Sequence, residues 1–194
     1  TNTPLMIDDK ELVEGCARKE RLFQKKLYDT YARKMLSVCL SYTRDRYEAE
    51  NILQESFIKI FENIVNFRMT GSLEGWIRRI VVNTALDHYR KWKRINFNEV
   101  EIEYADDETI NTDIIDRMSN KEIINLIQSL PEGSRLVFTL YAVEGYTHPE
   151  IGKKLGISVG TSKSQYSRAR RILMDKILKV NENLQFKRVA EREI

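Results

Sequence analysis

Basic and aromatic residues alternate in the stretch GWIRRIVVNTALDHYRKWKR, residues 75–94. From Arg78 to Arg94 it carries six Lys or Arg residues against one Asp, a net charge of +5. Cations neutralise phosphates, and an aromatic face can replace the stacking that a base loses when it leaves a duplex. Four polar residues recur at whole helical turns, so we expect them to form one nucleic-acid-binding stripe: Arg79, Asn83, Arg90 and Arg94. The interleaved aromatic residues, taken alone, favour core packing: Trp76, Tyr89 and Trp92.

A second basic stretch, GYTHPEIGKKLGISVGTSKSQYSRARRIL, has the pattern of two short helices around a tight turn. Thr147 and Glu150 have the spacing of a capping box, Gly156 can end the first helix, and Ser158 can cap the second. The pattern predicts a helix-turn-helix whose second helix enters the major groove. We expect this helix to bury Tyr166, Ala169 and Leu173 and to expose Thr161, Ser164, Ser167, Arg168 and Arg171.

Ser162 falls on the predicted buried stripe of that second helix, where an apolar residue is expected. Two interpretations are open: looser packing around a small side chain, or a hydroxyl that bonds back to the preceding helical turn.

The segment RDRYEAENILQESFIKIFENI predicts the clearest helix, from Asp45 to Ile64, with Asp45 as its cap. Its apolar residues follow helical spacing, interrupted by Ser56: Ala49, Ile52, Leu53, Phe57, Ile60, Phe61 and Ile64. The opposite face is acidic and would repel DNA. It is either a solvated face or the site of a basic helical protein partner, with Ile58 as an apolar anchor.

The charge distribution predicts two helical units. Residues 96–116 contain eight acidic residues and no Lys or Arg, while the whole chain has a net charge of +3. The charge of the remaining residues is therefore +11. We expect an all-α protein with a first domain over 11–94, an acidic linker over 95–118, a second domain over 119–180 and a tail over 181–194. The linker is interpreted as a solvated spacer or as an acidic strand that occupies a basic channel of a partner.

The same sequence argues against several classes of protein. The two cysteines, Cys16 and Cys39, lack metal-binding spacing, which favours a reducing compartment. No signal peptide or membrane-length apolar run is present, so we expect a cytoplasmic protein without membrane insertion. His88, which falls on the predicted core stripe of its helix, and His148 stand alone, and we find no catalytic set, metal site or cofactor motif. A conventional regulator, with a helical sensor or dimerisation unit and a helix-turn-helix, remains an alternative that the residues leave open.

Taken together, three stretches resemble the sigma-70 family of RNA polymerase sigma factors, in its extracytoplasmic-function group: the Asp45–Ile64 helix, the 75–94 stretch and the SLPEGSRLVFTLYAVEG segment with the helix-turn-helix. The resemblance implies a promoter-specificity subunit that is not itself an enzyme. It implies region 2 and region 4 domains, promoter DNA as a ligand, and core polymerase as a partner through its β′ clamp helices and β flap. An anti-sigma factor is a further partner that the resemblance suggests, and the acidic linker resembles the segment threaded near the active-site cleft.

The resemblance also implies a role for individual residues. The contacts with core polymerase would be Glu48, Asn51, Gln54, Glu55 and Ile58. The −10 element would be opened and bound by Phe67, Arg68, Trp76, Arg79, Asn83, Arg90 and Arg94. The −35 element would be bound in duplex form by Ser158, Thr161, Lys163, Ser164, Ser167, Arg168 and Arg171. Two residues depart from the family pattern, because Asn51 replaces a usual acidic residue and Ser162 a usual valine.

Overall fold

The computed structural model describes residues 8–92 and 118–190, and the described residues contain helices and turns without strands. The all-α fold predicted from the sequence is therefore confirmed for these residues. The chain divides into two compact units, Thr1–Arg94 and Ile95–Ile194. The predicted linker over 95–118 lies outside the described residues except for its last position.

Residues 8–92 of the first unit form four α-helices and one short 3₁₀ turn. They are α1 (Asp9–Ala17), α2 (Arg21–Tyr42), α3 (Arg46–Asn63), the 3₁₀ turn (Ile64–Asn66) and α4 (Leu73–Trp92). The Asp8 carboxylate accepts a hydrogen bond from the Glu11 amide and so caps α1. Sequence reasoning did not single out this first helix.

Helices α2, α3 and α4 pack against one another around an apolar core. Fully buried residues come from all three helices: Leu27, Met35, Cys39, Ile52, Ile60, Ile77 and Val81. Ser56, which interrupts the apolar stripe of α3, is buried and donates its hydroxyl to the Ile52 carbonyl one turn earlier. The hydroxyl of Tyr89 donates to the Tyr42 carbonyl, so α4 is tied to the end of α2. The expected core role of Tyr89 is thus confirmed.

In the second unit, the described residues begin with two short helices, α5 (Asn120–Gln128) and α6 (Glu132–Phe138). Ser119 and Glu122 form a capping box at the start of α5. Arg135 is fully buried, and its guanidinium donates to the carbonyls of Leu130 at 3.1 Å and Gln128 at 3.4 Å. These carbonyls belong to the end of α5 and the turn after it, so the buried cation joins α6 to a carbonyl-rich helix terminus.

A π-helical turn, Thr139–Val143, follows α6 directly. The stretch GSRLVFTLYAVEG, residues 133–145, favours one α-helix that ends at Gly145, whereas in the structure the α-helix ends at Phe138 and this turn follows. The Glu144 amide bonds to the Thr139 carbonyl at 3.0 Å, five residues back, which widens the last turn. The wider turn buries Thr139 and Leu140 and leaves Tyr141 partly exposed.

The helix-turn-helix consists of α7 (His148–Leu155) and α8 (Val159–Ala190). Thr147 and Glu150 form the predicted capping box, and Gly156 ends α7 in the left-handed region at φ 69°. The Ser158 hydroxyl accepts from the Thr161 amide at 2.9 Å, as expected of a cap. The backbone helix of α8 continues to Ala190, into the segment 181–194 where the sequence showed no periodic pattern.

Gly152 allows α7 to approach the turn closely. A Cβ atom at this position would lie 2.8 Å from the Ile157 carbonyl oxygen, which is backbone and cannot move aside. We predict that Gly152→Ala lowers the free energy of unfolding of the second unit by about 1–3 kcal/mol, because the steric cost exceeds the gain in helix propensity. Amide hydrogen exchange in α7 and α8 measures this change.

Gly160→Ala is the matched control, because its Cβ would meet only the Ser158 hydroxyl at an ordinary 3.6 Å. This variant should be neutral or slightly stabilising. Both tryptophans belong to the first unit. Their fluorescence should therefore report an unchanged first unit in both variants, and equal exchange rates in the two variants would contradict the steric argument.

Candidate polymerase and nucleic-acid interfaces

The outer face of α3 carries the five residues predicted to contact polymerase. Asp45 fixes the start of this face, since its carboxylate accepts from the Glu48 amide at 2.8 Å. Asn51, Gln54 and Ile58 are exposed, and Ile58 keeps 58% of its surface accessible although it is apolar. Glu48 and Glu55 are half-buried on the side of α3 that faces α4. The face is therefore a polar ridge with one apolar side chain at its C-terminal end.

Two ionic contacts connect this face to its surroundings. The Glu48 carboxylate lies 3.4 Å from His88 Nε2 on α4. The Glu55 carboxylate lies 2.8 Å from Lys59 Nζ, and the same Nζ lies 3.3 Å from the Thr84 hydroxyl on α4. His88 was expected on the core stripe. The structure instead places it half-buried at the edge of the core, because its ring extends toward a carboxylate of α3.

An open cavity of about 400 Å³ lies between α3, the 3₁₀ turn and α4. Its walls combine amides, one indole and groups of both charges: Lys59, Asn63, Asn66, Trp76, Ile80, Asn83, Thr84 and Asp87. The volume is within the range of small-molecule sites. Amides can bond to the edge of a base, an indole can stack on its face, and a lysine can neutralise its phosphate. The arrangement suits one unstacked nucleotide.

Six of the seven predicted −10 residues lie in the described part of the chain, and they fall into three groups. Trp76 and Asn83 line it, and Arg79 and Arg90 are exposed on α4. Phe67 packs on Trp76 with ring centroids 5.3 Å apart, while Arg68 is exposed in the loop between the 3₁₀ turn and α4. Arg94 lies outside the described residues.

Sequence reasoning missed three residues that line the cavity: Lys59 and Asn63 of α3, and Asp87 of α4. Lys59 and Asn63 are four residues apart on α3, and their helical spacing could have indicated a shared flank. Asp87 lines the cavity and also bonds to Arg90, with Nη1 to Oδ1 at 3.2 Å. No local pattern could show that this flank faces Asn83, because the juxtaposition arises from the packing of α3 on α4.

The predicted −35 residues lie along the first turns of α8. The first of them are engaged within the chain itself: the Ser158 hydroxyl lies 2.8 Å from the Thr161 hydroxyl, and Ser164 donates to the Thr161 carbonyl at 3.0 Å. Lys163 and Arg171 are exposed, and Ser167 and Arg168 are partly exposed. The basic residues are thus accessible, whereas the hydroxyls at the helix start also serve its cap.

Ser162 is fully buried and takes part in a contact between the two helices of the helix-turn-helix. Its hydroxyl lies 2.9 Å from His148 Nδ1 on α7. The second earlier interpretation is wrong, because the hydroxyl bonds to the neighbouring helix and not to its own preceding turn. The imidazole also stacks on Tyr141, with centroids 4.4 Å apart, and meets the edge of Tyr166. Tyr166, expected to be buried, is only half-buried in this aromatic cluster.

The environment of His148 favours the neutral imidazole. Burial lowers the pKa of this histidine, and the nearby positive charge of Lys163 lowers it further. A neutral ring has one nitrogen that can accept a hydrogen bond, so Nδ1 can accept a hydrogen bond from the Ser162 hydroxyl.

These features define a two-unit helical protein with a nucleotide-sized cavity in one unit and a helix-turn-helix in the other. Family models agree with this division: sigma-70 region 2 matches residues 27–95, and sigma-70 region 4 matches residues 120–173. The chain belongs to the sigma-70 family, and it is an RNA polymerase sigma factor of transcription initiation. The family expectation stated from the sequence is confirmed, and the alternative of a conventional regulator is set aside.

The chain is also similar to individual sigma factors, two of which are named as ECF sigma factors. The chain is 32% identical over 139 residues to the ECF RNA polymerase sigma factor SigE of Mycolicibacterium smegmatis, a match that spans 70% of this chain and 54% of the relative. It is 30% identical over 181 residues to the RNA polymerase sigma-H factor of Pseudomonas aeruginosa, across 88% of this chain and 93% of that one. It is 30% identical over 158 residues to the ECF RNA polymerase sigma factor SigW of Bacillus subtilis, across 76% and 84%.

Within residues 8–92 and 118–190, no helix combines the length and the apolar character that crossing a membrane requires.

We predict that the contact between Ser162 and His148 stabilises the helix-turn-helix. Ser162→Ala removes the hydroxyl and leaves the partly buried Nδ1 of His148 without this hydrogen bond. The loss should lower the free energy of unfolding of the second unit by about 1 kcal/mol. Hydrogen exchange at the amides of α7 and α8 gives the measurement.

Ser164→Ala is the control, since it removes a hydroxyl from the same helix without touching His148. It should change stability by less than about 0.5 kcal/mol. In a His148→Ala background, Ser162→Ala should lower the free energy of unfolding much less, as expected when the two side chains interact directly. An undiminished cost in that background would show that the hydroxyl acts elsewhere.

Proposed function

We propose that this sigma factor binds core RNA polymerase through the outer face of α3 and binds the −10 element through α4 and the adjacent cavity. The cavity carries this proposal, because it presents Asn83, Trp76 and a lysine together beside exposed arginines. A base that leaves the duplex loses stacking and pairing, and a site of this kind offers substitutes for both. The helix that bounds it on one side is also the helix that carries the polymerase face.

The second unit would bind the −35 element as a duplex. The exposed side of α8 offers Lys163, Arg168 and Arg171 near its start, where a recognition helix approaches base edges and phosphates. The buried contacts of Ser162 and Gln165 on the other side hold this helix against α7 and α6. The direction in which the basic side chains project is therefore set by the core.

We further propose that the chain acts in the cytoplasm as a promoter-specificity subunit with no catalytic residues of its own. Its partners would be the β′ clamp helices and the β flap of core polymerase, and an anti-sigma factor is expected from the family resemblance. The direct test is transcription in vitro with sigma-free core polymerase and a library of bacterial promoter fragments. The proposal fails if the chain binds core polymerase but supports no specific start site.

We predict that Ile58→Ala weakens binding to core polymerase by roughly tenfold. The side chain is apolar and exposed on an otherwise polar face, as expected of an interface anchor whose truncation costs about 1–2 kcal/mol. Titration of labelled sigma factor with core polymerase measures the change. Leu22→Ala is a matched control, because Leu22 is an apolar residue that is 71% exposed at the start of α2 and is not one of the five residues of the proposed face. Equal effects of the two substitutions would argue against a specific anchor.

We predict that Arg168→Ala lowers affinity for the −35 duplex by about 1–3 kcal/mol and relaxes preference at one base pair. Lys179→Ala is the control, since Lys179 is an exposed cation three helical turns later on the same side of α8. Removal of this charge should weaken binding to all sequences alike, if at all. Selection from a randomised duplex by each holoenzyme distinguishes the two results, and an unchanged preference for Arg168→Ala would contradict a base contact.

A further inference from the structure

Lys59 lies at the boundary between the two proposed interfaces of the first unit. Its ammonium group is 2.8 Å from the Glu55 carboxylate, on the face proposed for polymerase. The same group is 3.3 Å from the hydroxyl of Thr84 and lines the cavity proposed for DNA. Thr84 is only 1% exposed, so it offers a fixed point beside the cavity.

A second cation beside the cavity is also paired with a carboxylate. Arg90 Nη1 lies 3.2 Å from Asp87, whose side chain forms part of the cavity wall. In this structure, therefore, the positive charges nearest the cavity are partly neutralised by the chain's own acidic residues. A phosphate that approaches must compete with these carboxylates, and the competition weakens its binding.

We propose that Lys59 binds the phosphate backbone of the strand whose base enters the cavity, and that Glu55 withholds this lysine until core polymerase engages Glu55. This inference rests on the proposed functions of the α3 face and the cavity. A basic surface on polymerase would attract the Glu55 carboxylate outward and release the ammonium group. Lys59 would remain beside the cavity, because the Thr84 hydroxyl can still accept its hydrogen bond.

The ionic pair is suited to such an exchange because it is only partly buried. The side chain of Lys59 is 34% exposed and that of Glu55 is 42% exposed. A helical pair of this spacing and exposure contributes little to stability, so its loss leaves the fold intact. A partner of the right charge can replace it at little cost.

The first experiment compares Glu55→Gln with Glu62→Gln in the free full-length chain. Glu62 is an exposed carboxylate on the same helix, two turns later and on nearly the same side, so both variants lose one negative charge. The probe is a fluorescein-labelled single-stranded oligonucleotide of random sequence, at low ionic strength. We expect Glu55→Gln to raise affinity by roughly two- to fivefold and Glu62→Gln to raise it by less than half as much.

The second experiment tests whether this gain requires Lys59. Lys59→Gln should lower affinity for the probe, and Glu55→Gln should add nothing in the Lys59→Gln background. Lys59→Arg keeps the charge and should keep most of the binding. In holoenzyme saturated with core polymerase, Lys59→Gln should still weaken binding to a single-stranded −10 fragment, whereas Glu55→Gln should have no further effect.

Equal gains from Glu55→Gln and Glu62→Gln would overturn the inference, because they would show only a change in overall charge. An undiminished gain from Glu55→Gln in the Lys59→Gln background would overturn it as well. Failure of the wild-type chain to bind core polymerase or to start transcription would instead reject the proposed function. The two failures are distinguishable, since the free-chain comparison needs no polymerase.

Discussion

Burial of the apolar stripe of α3 against α2 and α4 determines where every proposed contact of the first unit lies. With Ile52, Ile60 and their neighbours held in the core, the helix can rotate very little. Its outer residues then form one exposed ridge, and its flank beside α4 becomes a wall of the cavity. A single amphipathic helix thus fixes the proposed polymerase-binding face and part of the wall of the proposed nucleotide site at the same time.

In the second unit, buried polar contacts fix the position of the recognition helix. Ser134 donates to Gln165 at 2.7 Å, Ser162 meets His148 at 2.9 Å, and the Arg135 guanidinium reaches the carbonyls after α5. Such contacts need a specific distance and direction, whereas apolar packing tolerates small shifts. The recognition helix is therefore held by directional bonds on its buried side. The serine at 162, unusual for the family pattern, is part of that arrangement because its partner is a histidine on α7.

Local features of the protein were predictable from the sequence, and features made by packing were not. The caps at Ser119, Thr147 and Ser158 depend on residues three positions apart, so their spacing is sufficient to predict them. The two faces of α3 follow from helical periodicity in the same way. The cavity and the partner of Ser162 depend on which helices meet, and the π turn is one of several endings that the sequence after α6 permits. No fixed spacing of residues in the sequence identifies the cavity, the partner of Ser162 or the π turn.

The first unit places opposite charges on neighbouring helices. α3 presents carboxylates, α4 presents arginines, and their shared border is crossed by Glu48 with His88 and by Lys59 with Thr84. A purely basic unit would bind nucleic acid of any sequence through its phosphates, since that attraction does not depend on the bases. Acidic residues close to the cationic ones reduce this non-specific attraction in the free chain. The contacts of the bases themselves, which carry sequence information, then make up a larger share of the binding free energy.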